Sequence, residues 1–339
     1  MSANANAEQG QGNSKDHQEN KDVPEKEPLG PPTFPKLSKL TDRFGNTFFF
    51  GNAGDYWHIP FPIGADNDYR THARNIRSME IRADDVIICS YPKTGLHWHI
   101  EILHMLKKQQ VQFTDGNIGG FFLDKTPTGR IDALPSPRLV YTHVPFRYIP
   151  RQALEKKIKI VYLDRNPKDV LVSYYNFMQK RPEPYHYPGT FEHFYRLCME
   201  VGYLYGDLFD YLMEWQKGIE AHPDCPIYTS VFEDMKLDPV GGVKKLNEFL
   251  ATGCSDELCE QIAVACSFTN MKEYKEKTTS EHAKSLFKDK TLATYRKGEV
   301  GDWKNWFTVT MNEEFDAEYK KRMSEYKTVY RFTLDDCHG

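Results

Sequence analysis

Three short segments, far apart in the chain, hold cations where a phosphate could be met. Ser90-Tyr91-Pro92-Lys93-Thr94-Gly95-Leu96-His97-Trp98 sets a lysine, a hydroxyl and a glycine directly before a helical pattern. Backbone N–H groups at a helix start lack intrahelical partners, and the helix dipole there favours an anion. Gly95 lets a phosphate come close to the backbone, and Lys93 adds a mobile positive charge. The second segment, Asp164 to Tyr174, puts Arg165 at a strand end and Ser173 two turns into the next helix. The third, Tyr295 to Thr308, has Arg296 and Lys297 before Gly298, and Gly301 shortly after gives the backbone freedom to wrap a ligand. None is a Walker A loop, because GxxxxGK[ST] occurs nowhere in the chain.

Strand-like and helical runs alternate so as to bring these segments to one place. Asp85–Ser90 is a short β-branched run, and Trp98, Ile102, Met105 and Leu106 follow at helical spacing. Leu139–His143 reads as a strand stopped before Pro145, and Ile158–Leu163 as a buried strand. Asn166-Pro167-Lys168-Asp169 has the form of a helix start, with Val170, Ser173, Tyr174 and Phe177 on one face of the helix. Ile227–Phe232 reads as a strand and Val240–Leu250 as a helix. Repeated strand–loop–helix units argue for an α/β fold with a central parallel sheet flanked by helices, and ligands collect at the carboxyl ends of such strands.

Composition narrows the class. The 339 residues are 40% hydrophobic and 14% aromatic, enough to bury a core. Residues 1–33 carry three lysines against six acids, which accounts for most of the chain's net charge of −4. The near-neutral remainder does not advertise nucleic-acid binding. No aromatic residue precedes Phe34, so residues 1–35 read as a disordered acidic tail and 36–335 as one domain. No apolar run approaches the roughly 20 residues of a membrane span, and the N-terminus has no signal-peptide pattern. Seven cysteines without a CxxC pair fit free thiols and a cytoplasmic address. His97, His99 and His104 spread around a helix without an acidic partner, so no metal site is expected.

Together, Tyr91-Pro92-Lys93-Thr94-Gly95, the Arg165–Ser173 segment and Arg296-Lys297-Gly298-x-x-Gly301-Asp302-Trp303-Lys304-Asn305-x-Phe307-Thr308 resemble the cytosolic sulfotransferase family. The resemblance runs from about Asp84 to Phe315. It implies a single P-loop-like domain. It also implies 3′-phosphoadenosine 5′-phosphosulfate (PAPS) as donor and adenosine 3′,5′-bisphosphate (PAP) as product. A sulfuryl group would pass to a hydroxyl or amine of a small molecule without a metal. By the same resemblance, Lys93, Thr94, Gly95, Leu96, His97 and Trp98 correspond to the 5′-phosphosulfate site. Arg165, Ser173, Arg296, Lys297 and Gly298 correspond to the 3′-phosphate site. Trp98, Phe232, Ser267 and Phe268 complete the nucleotide set. His143, in Tyr141-Thr142-His143-Val144-Pro145, corresponds to the general base, with Lys93 on the leaving phosphate and Ser173 tempering that lysine. Lys304, Thr308, Val309 and Glu313 match a short dimerisation pattern, which makes Lys304–Glu313 a candidate homodimer contact.

The chain also departs from that pattern. Leu96-His97 stands where two threonines are usual, so His97, in a cationic form, is expected to replace one lost donor. Tyr141 replaces a common lysine, and Phe232 a common tyrosine. These changes keep open a nucleotide-binding homologue with little transferase activity. Phe48–Phe50, Phe113, Phe121, Phe122, Phe146, Tyr148 and the 181–187 loop suggest an aromatic pocket for a phenolic or lipophilic acceptor.

Overall fold

The four strands read from the sequence are β4 (Val86–Ser90), β5 (Leu139–Thr142), β6 (Lys159–Asp164) and β7 (Ile227–Val231). They form one parallel sheet in the order β5-β4-β6-β7. The computed structural model describes residues 36–61, 63, 68–114, 121–285, 287–288, 292 and 294–334. The tail expected over 1–35 lies outside the described residues.

Parallel strands covered on both faces read as nearly continuous apolar runs, which is what Val86-Ile87-Ile88-Cys89 and Ile160-Val161-Tyr162-Leu163 are. Alternate side chains enter different cores. Ile87, Cys89, Val140, Ile160 and Tyr162 pack with Ile76, Val170, Phe194 and Trp215. These last four come from α1 (Tyr69–Ser78), α5 (Pro167–Gln179), α6 (Phe191–Glu200) and α7 (Leu208–Ala221). Val86, Ile88, Tyr141, Val161 and Leu163 pack on the other face with Leu103, Leu246, Ile262 and Met271. Their helices are α2 (Leu96–Lys108), α9 (Pro239–Leu250), α10 (Asp256–Ala265) and α11 (Phe268–Thr278). Each large apolar side chain so buried contributes about 1.5–3 kcal/mol.

The amino ends of β4 and β5 are clamped together. Arg138 Nε donates to Asp85 Oδ1 at 2.9 Å and Nη2 to Asp85 Oδ2, with both side chains at most 1% exposed. Arg138 Nη2 also donates to the Glu80 carbonyl, so the buried guanidinium is well hydrogen-bonded. Losing one partner of such a pair costs about 3–5 kcal/mol. The clamp fixes the register in which Cys89 lies beside Thr142, and so sets where both strands end. As expected, Asn166 caps α5, accepting from the Lys168 N–H at 3.0 Å, with Pro167 in the first turn.

Two features differ from the expectation. Phe232 does not end β7 but begins α8 (Phe232–Leu237), so its ring leaves the sheet. An antiparallel sheet of β1 (Ser38–Thr41), β2 (Thr47–Asn52) and β3 (Trp57–His58) precedes the parallel one, and Phe48 and Phe50 are core residues within it. Short helices α3 (Thr128–Asp132), α4 (Arg151–Glu155) and α12 (Glu281–Lys284), and the longer α13 (Val309–Arg322), complete the elements. No described helix is long and apolar enough to cross a membrane.

Candidate active site

A cavity of about 360 Å³ opens over the carboxyl ends of the sheet. The strand order lays out its floor: His143 follows β5, Lys93 to Trp98 follow β4, Arg165 follows β6 and Phe232 follows β7, and all four segments line it.

The turn after β4 is held in an unusual backbone conformation. Lys93 has φ 76° and Gly95 φ 100°, two left-handed residues within three. A non-glycine residue in that region is costly and persists only where its surroundings enforce it. Here Thr94 Oγ1 donates to the Tyr91 carbonyl at 2.8 Å, and Arg165 Nη1 donates to the Lys93 carbonyl at 3.0 Å. The turn so fixed aims the first N–H groups of α2 and the Lys93 side chain into the cavity mouth. Lys93 Nζ rests 4.4 Å from the centre of the Phe177 ring and makes no ion pair among the described residues. Burial, followed by the charges of Arg165 and Arg296, lowers its pKa to about 7.

Arg165 crosses between segments. Its second amino group donates to the Glu299 carbonyl at 3.0 Å, and its guanidinium stacks 4.1 Å over Phe232. Its Nε, like that of Arg296, is buried without a partner. Arg296 and Lys297 both bond Asp302, and Asp169 on α5 accepts the Gly301 and Trp303 N–H groups. Burial works against the Asp302 carboxylate, but its bonds to Lys297, Asn305 and Arg296 win and hold its pKa at about 2. Gly298 has φ 68°, and a Cβ there would stand 2.3 Å from the Phe268 ring, so the backbone lies flat against that ring. Trp98 meets Phe232 edge-on at 5.6 Å. Two buried, unpartnered guanidinium nitrogens and an unpaired lysine over a helix start fit a ligand with two separated anionic groups. The aromatic walls of Trp98, Phe232 and Phe268 suit a planar base between them.

His143 occupies the other end. Its Nδ1 is 2.7 Å from the Ser90 carbonyl. Only an N–H can donate to that oxygen, so Nδ1 carries the proton and Nε2 keeps its lone pair. Burial drives the pKa down to about 4, opposed by the Ser90 bond and helped by Lys93, so the ring is neutral at pH 7. Asp124 fixes the backbone here, accepting from Thr142 Oγ1 at 2.7 Å and from the His143 N–H at 2.8 Å. The Asp124 carboxyl is pushed up to about 7 by burial, against these bonds. Tyr141 stacks on Phe122 at 5.3 Å, and its hydroxyl is buried without a partner.

The cavity brings together Lys93, Gly95, Leu96, His97, Trp98, His143, Arg165, Ser173, Phe232, Phe268, Arg296, Lys297 and Gly298 of the residues expected from the sequence. It leaves out Thr94, whose hydroxyl is used inside the turn and whose surface is 1% exposed. It also leaves out Ser267, whose hydroxyl caps α11 on the Asn270 N–H. The cationic role suggested for His97 does not hold: burial and the nearby charge of Lys93 lower its pKa to about 3. His99 is structural, bonded to Ser230 Oγ at 2.8 Å. Among the described residues no group of His, Cys, Asp or Glu is arranged to hold a metal. Of the aromatic residues suggested for the acceptor pocket only Phe122 lines the cavity, with Arg181 from the 181–187 loop. Phe146 packs on Trp215 and Phe113 on Tyr274, and neither is part of that lining. Sequence reading missed Ile59, Phe61, Lys125 and Lys275, which stand alone in the chain with no motif around them.

Comparison with known proteins agrees with this geometry. Residues 83–327 match the family model described as a sulfotransferase domain. Sulfotransferase 1B1 of Canis lupus familiaris is 37% identical over 282 residues, covering 76% of this chain and 89% of that protein. Sulfotransferase 1A1 of Mus musculus is 34% identical over 263 residues, covering 73% and 87%. Among solved structures, mouse sulfotransferase SULT7A1 complexed with PAP superposes with a TM-score of 0.64 at 24% identity, covering 86% of this chain and 95% of that one. Retinol dehydratase in complex with androsterone and inactive cofactor PAP gives 0.68 at 18% identity, covering 87% and 92%; both share the fold. With its P-loop-like turn after β4 and a family match across most of its length, the chain belongs to the sulfotransferase family.

Proposed function

We propose that this enzyme moves a sulfuryl group from PAPS to a hydroxyl or amine of a small acceptor, with His143 as general base. The observation that carries the reading is the presence in one cavity of Lys93, without an ion pair among the described residues, and of His143 with its Nδ1 held by the Ser90 carbonyl. PAPS, when bound, supplies an activated sulfuryl group and a phosphate leaving group. Arg165, Ser173, Arg296, Lys297 and Gly298 would hold its 3′-phosphate, and Lys93 with the Gly95–Trp98 backbone its 5′ end. Trp98, Phe232 and Phe268 would enclose the base. His143 Nε2 takes the acceptor proton while Ser90 holds Nδ1–H, so the ring cannot rotate as charge develops. Lys93, as a cation, steadies the negative charge left on the 5′-phosphate, and Ser173 on the same wall tempers it. Ile59, Phe61 and Phe122 support an apolar or aromatic acceptor.

Calorimetric titration with PAP, ADP and AMP tests the nucleotide half. PAP should bind at least about tenfold more tightly than ADP, and Arg165→Ala or Arg296→Ala should each weaken PAP by about tenfold or more. Equal affinity for all three nucleotides would contradict the reading.

Lys93 adds a pH signature. Its pKa of about 7 in the free cavity must rise when a phosphate binds, so binding above pH 7 takes up a proton. PAP affinity should therefore fall between pH 7 and 9, by at most about tenfold per pH unit. Lys93→Met should bind more weakly with a flat profile over that range. A flat profile in the unaltered enzyme would remove the assigned role.

The Lys304–Glu313 segment supports a homodimer, since Val309 is 76% exposed on it. Thr308, however, also serves as the α13 cap, accepting from the Met311 N–H at 3.2 Å. Sedimentation velocity at micromolar concentration should give a dimer that Val309→Glu converts to monomer. A monomeric unaltered chain would exclude this contact.

A further inference from the structure

Besides Lys93, Arg165, Arg296 and Lys297, the cavity wall carries two further cations, Lys125 and Arg181. Phe122 meets the His143 ring edge-on at 5.2 Å, and Phe61 meets Phe122 edge-on at 5.8 Å. Lys125 Nζ and the Arg181 guanidinium lie 5.9 and 5.7 Å from the centre of that same Phe61 ring. Both line the cavity. Arg181 is 7% exposed and its Nε is buried without a partner. Neither side chain makes an ion pair or hydrogen bond among the described residues. The two arrive from different segments, Lys125 from the loop ahead of β5 and Arg181 from the turn that follows α5.

Two like charges brought to one ring, half or wholly out of water and without a counter-ion, are unfavourable unless something anionic joins them. Burial, and for Lys125 the charge of Arg181, already works against their cationic forms. Lys93 follows β4 and Arg165 follows β6, whereas this pair gathers on Phe61, whose neighbour Phe122 bridges to Tyr141 of β5. A guanidinium presents parallel N–H donors that match a carboxylate, and a neighbouring ammonium adds a point charge. Between the pair and His143 Nε2 the wall is apolar, formed by Phe61 and Phe122.

We propose that Lys125 and Arg181 form a carboxylate subsite, so that the acceptor is an anionic alcohol or phenol with an apolar body. Its hydroxyl faces His143 and its carboxylate lies between the two cations, two aromatic ring-steps away. Hydroxyl and carboxylate therefore sit at opposite ends of the acceptor. The proposal rests on the sulfotransferase reading and narrows its substrate class. It also gives Lys125 a task distinct from assisting the sulfuryl group in place of the lysine replaced by Tyr141.

The test is a series of ω-(4-hydroxyphenyl)alkanoates, from the acetate to the pentanoate, each paired with its methyl ester. Binding is measured by calorimetry on the full chain saturated with PAP. At least one acid should bind about tenfold or more tightly than its ester. That acid-to-ester ratio should fall toward one in Arg181→Met and in Lys125→Met, and return in part in Arg181→Lys. Acids no tighter than their esters across the series, no binding of any member, or a ratio unmoved in both variants would overturn the subsite. A Lys125→Met effect equal on acid and ester would assign Lys125 to the donor and overturn the pairing. If PAP itself fails to bind, the sulfotransferase reading fails, and the acid-to-ester comparison on the chain alone still decides whether the carboxylate site exists.

Discussion

Four parallel strands end on the same side of the molecule, and the order β5-β4-β6-β7 fixes what stands beside what. Each strand releases its chain into one functional segment. His143 lies at one end, the Lys93–Trp98 turn beside it, Arg165 beyond that, and Phe232 at the far end. Neighbouring strands are about 4.8 Å apart, so the sheet itself sets a row of roughly the length of a nucleotide plus a small acceptor. The buried Arg138–Asp85 clamp matters for this reason: it fixes the starts of β4 and β5, and thereby the offset between Lys93 and His143 at their ends.

Electrostatics across that row are uneven by construction. Of the carboxylates near the site, Asp302 pairs with Arg296 and Lys297, while Asp169 and Asp124 serve the backbone. Asp169 hangs the Gly301–Trp303 backbone on α5, Asp302 closes the Arg296-Lys297 turn on itself, and Asp124 holds the His143 backbone. Lys93 and Arg165 are left to face the cavity, touching carbonyls and rings rather than paired carboxylates among the described residues. Their desolvation is a cost to the folded chain that an anionic ligand offsets. Burial, reinforced by the charge of Lys93, keeps His97 and His143 neutral, which suits the role proposed for His143 and denies His97 a role as a cation.

Much of this can be read from the residues because the site is built from contiguous segments at element ends. β-branched runs mark the strands, Asn166-Pro167 marks the start of α5, and the glycines next to cations mark the turns. What stays hidden depends on contacts between distant segments. The β7 run reads as including Phe232 because an aromatic residue extends a strand pattern, yet its ring lies under Arg165 as the first residue of α8. Thr94 and Ser267 read as facing a ligand, but their hydroxyls serve their own turn and helix cap. Nothing in the sequence gives the protonation state of His97, since burial and Lys93 set it. Lys125 and Arg181 have no motif, and only the folded chain brings both to Phe61.

We propose that His143 Nε2 removes the acceptor proton while the nucleotide is held by other residues of the cavity. That division of labour is tested most directly by single-turnover transfer from PAPS, with the best acceptor from a panel of phenols un-ionised at pH 7. His143→Ala should lower the transfer rate by about 10²–10⁴-fold while PAP affinity stays within a few-fold. Transfer that survives His143→Ala with a rate close to that of the unaltered enzyme would contradict it.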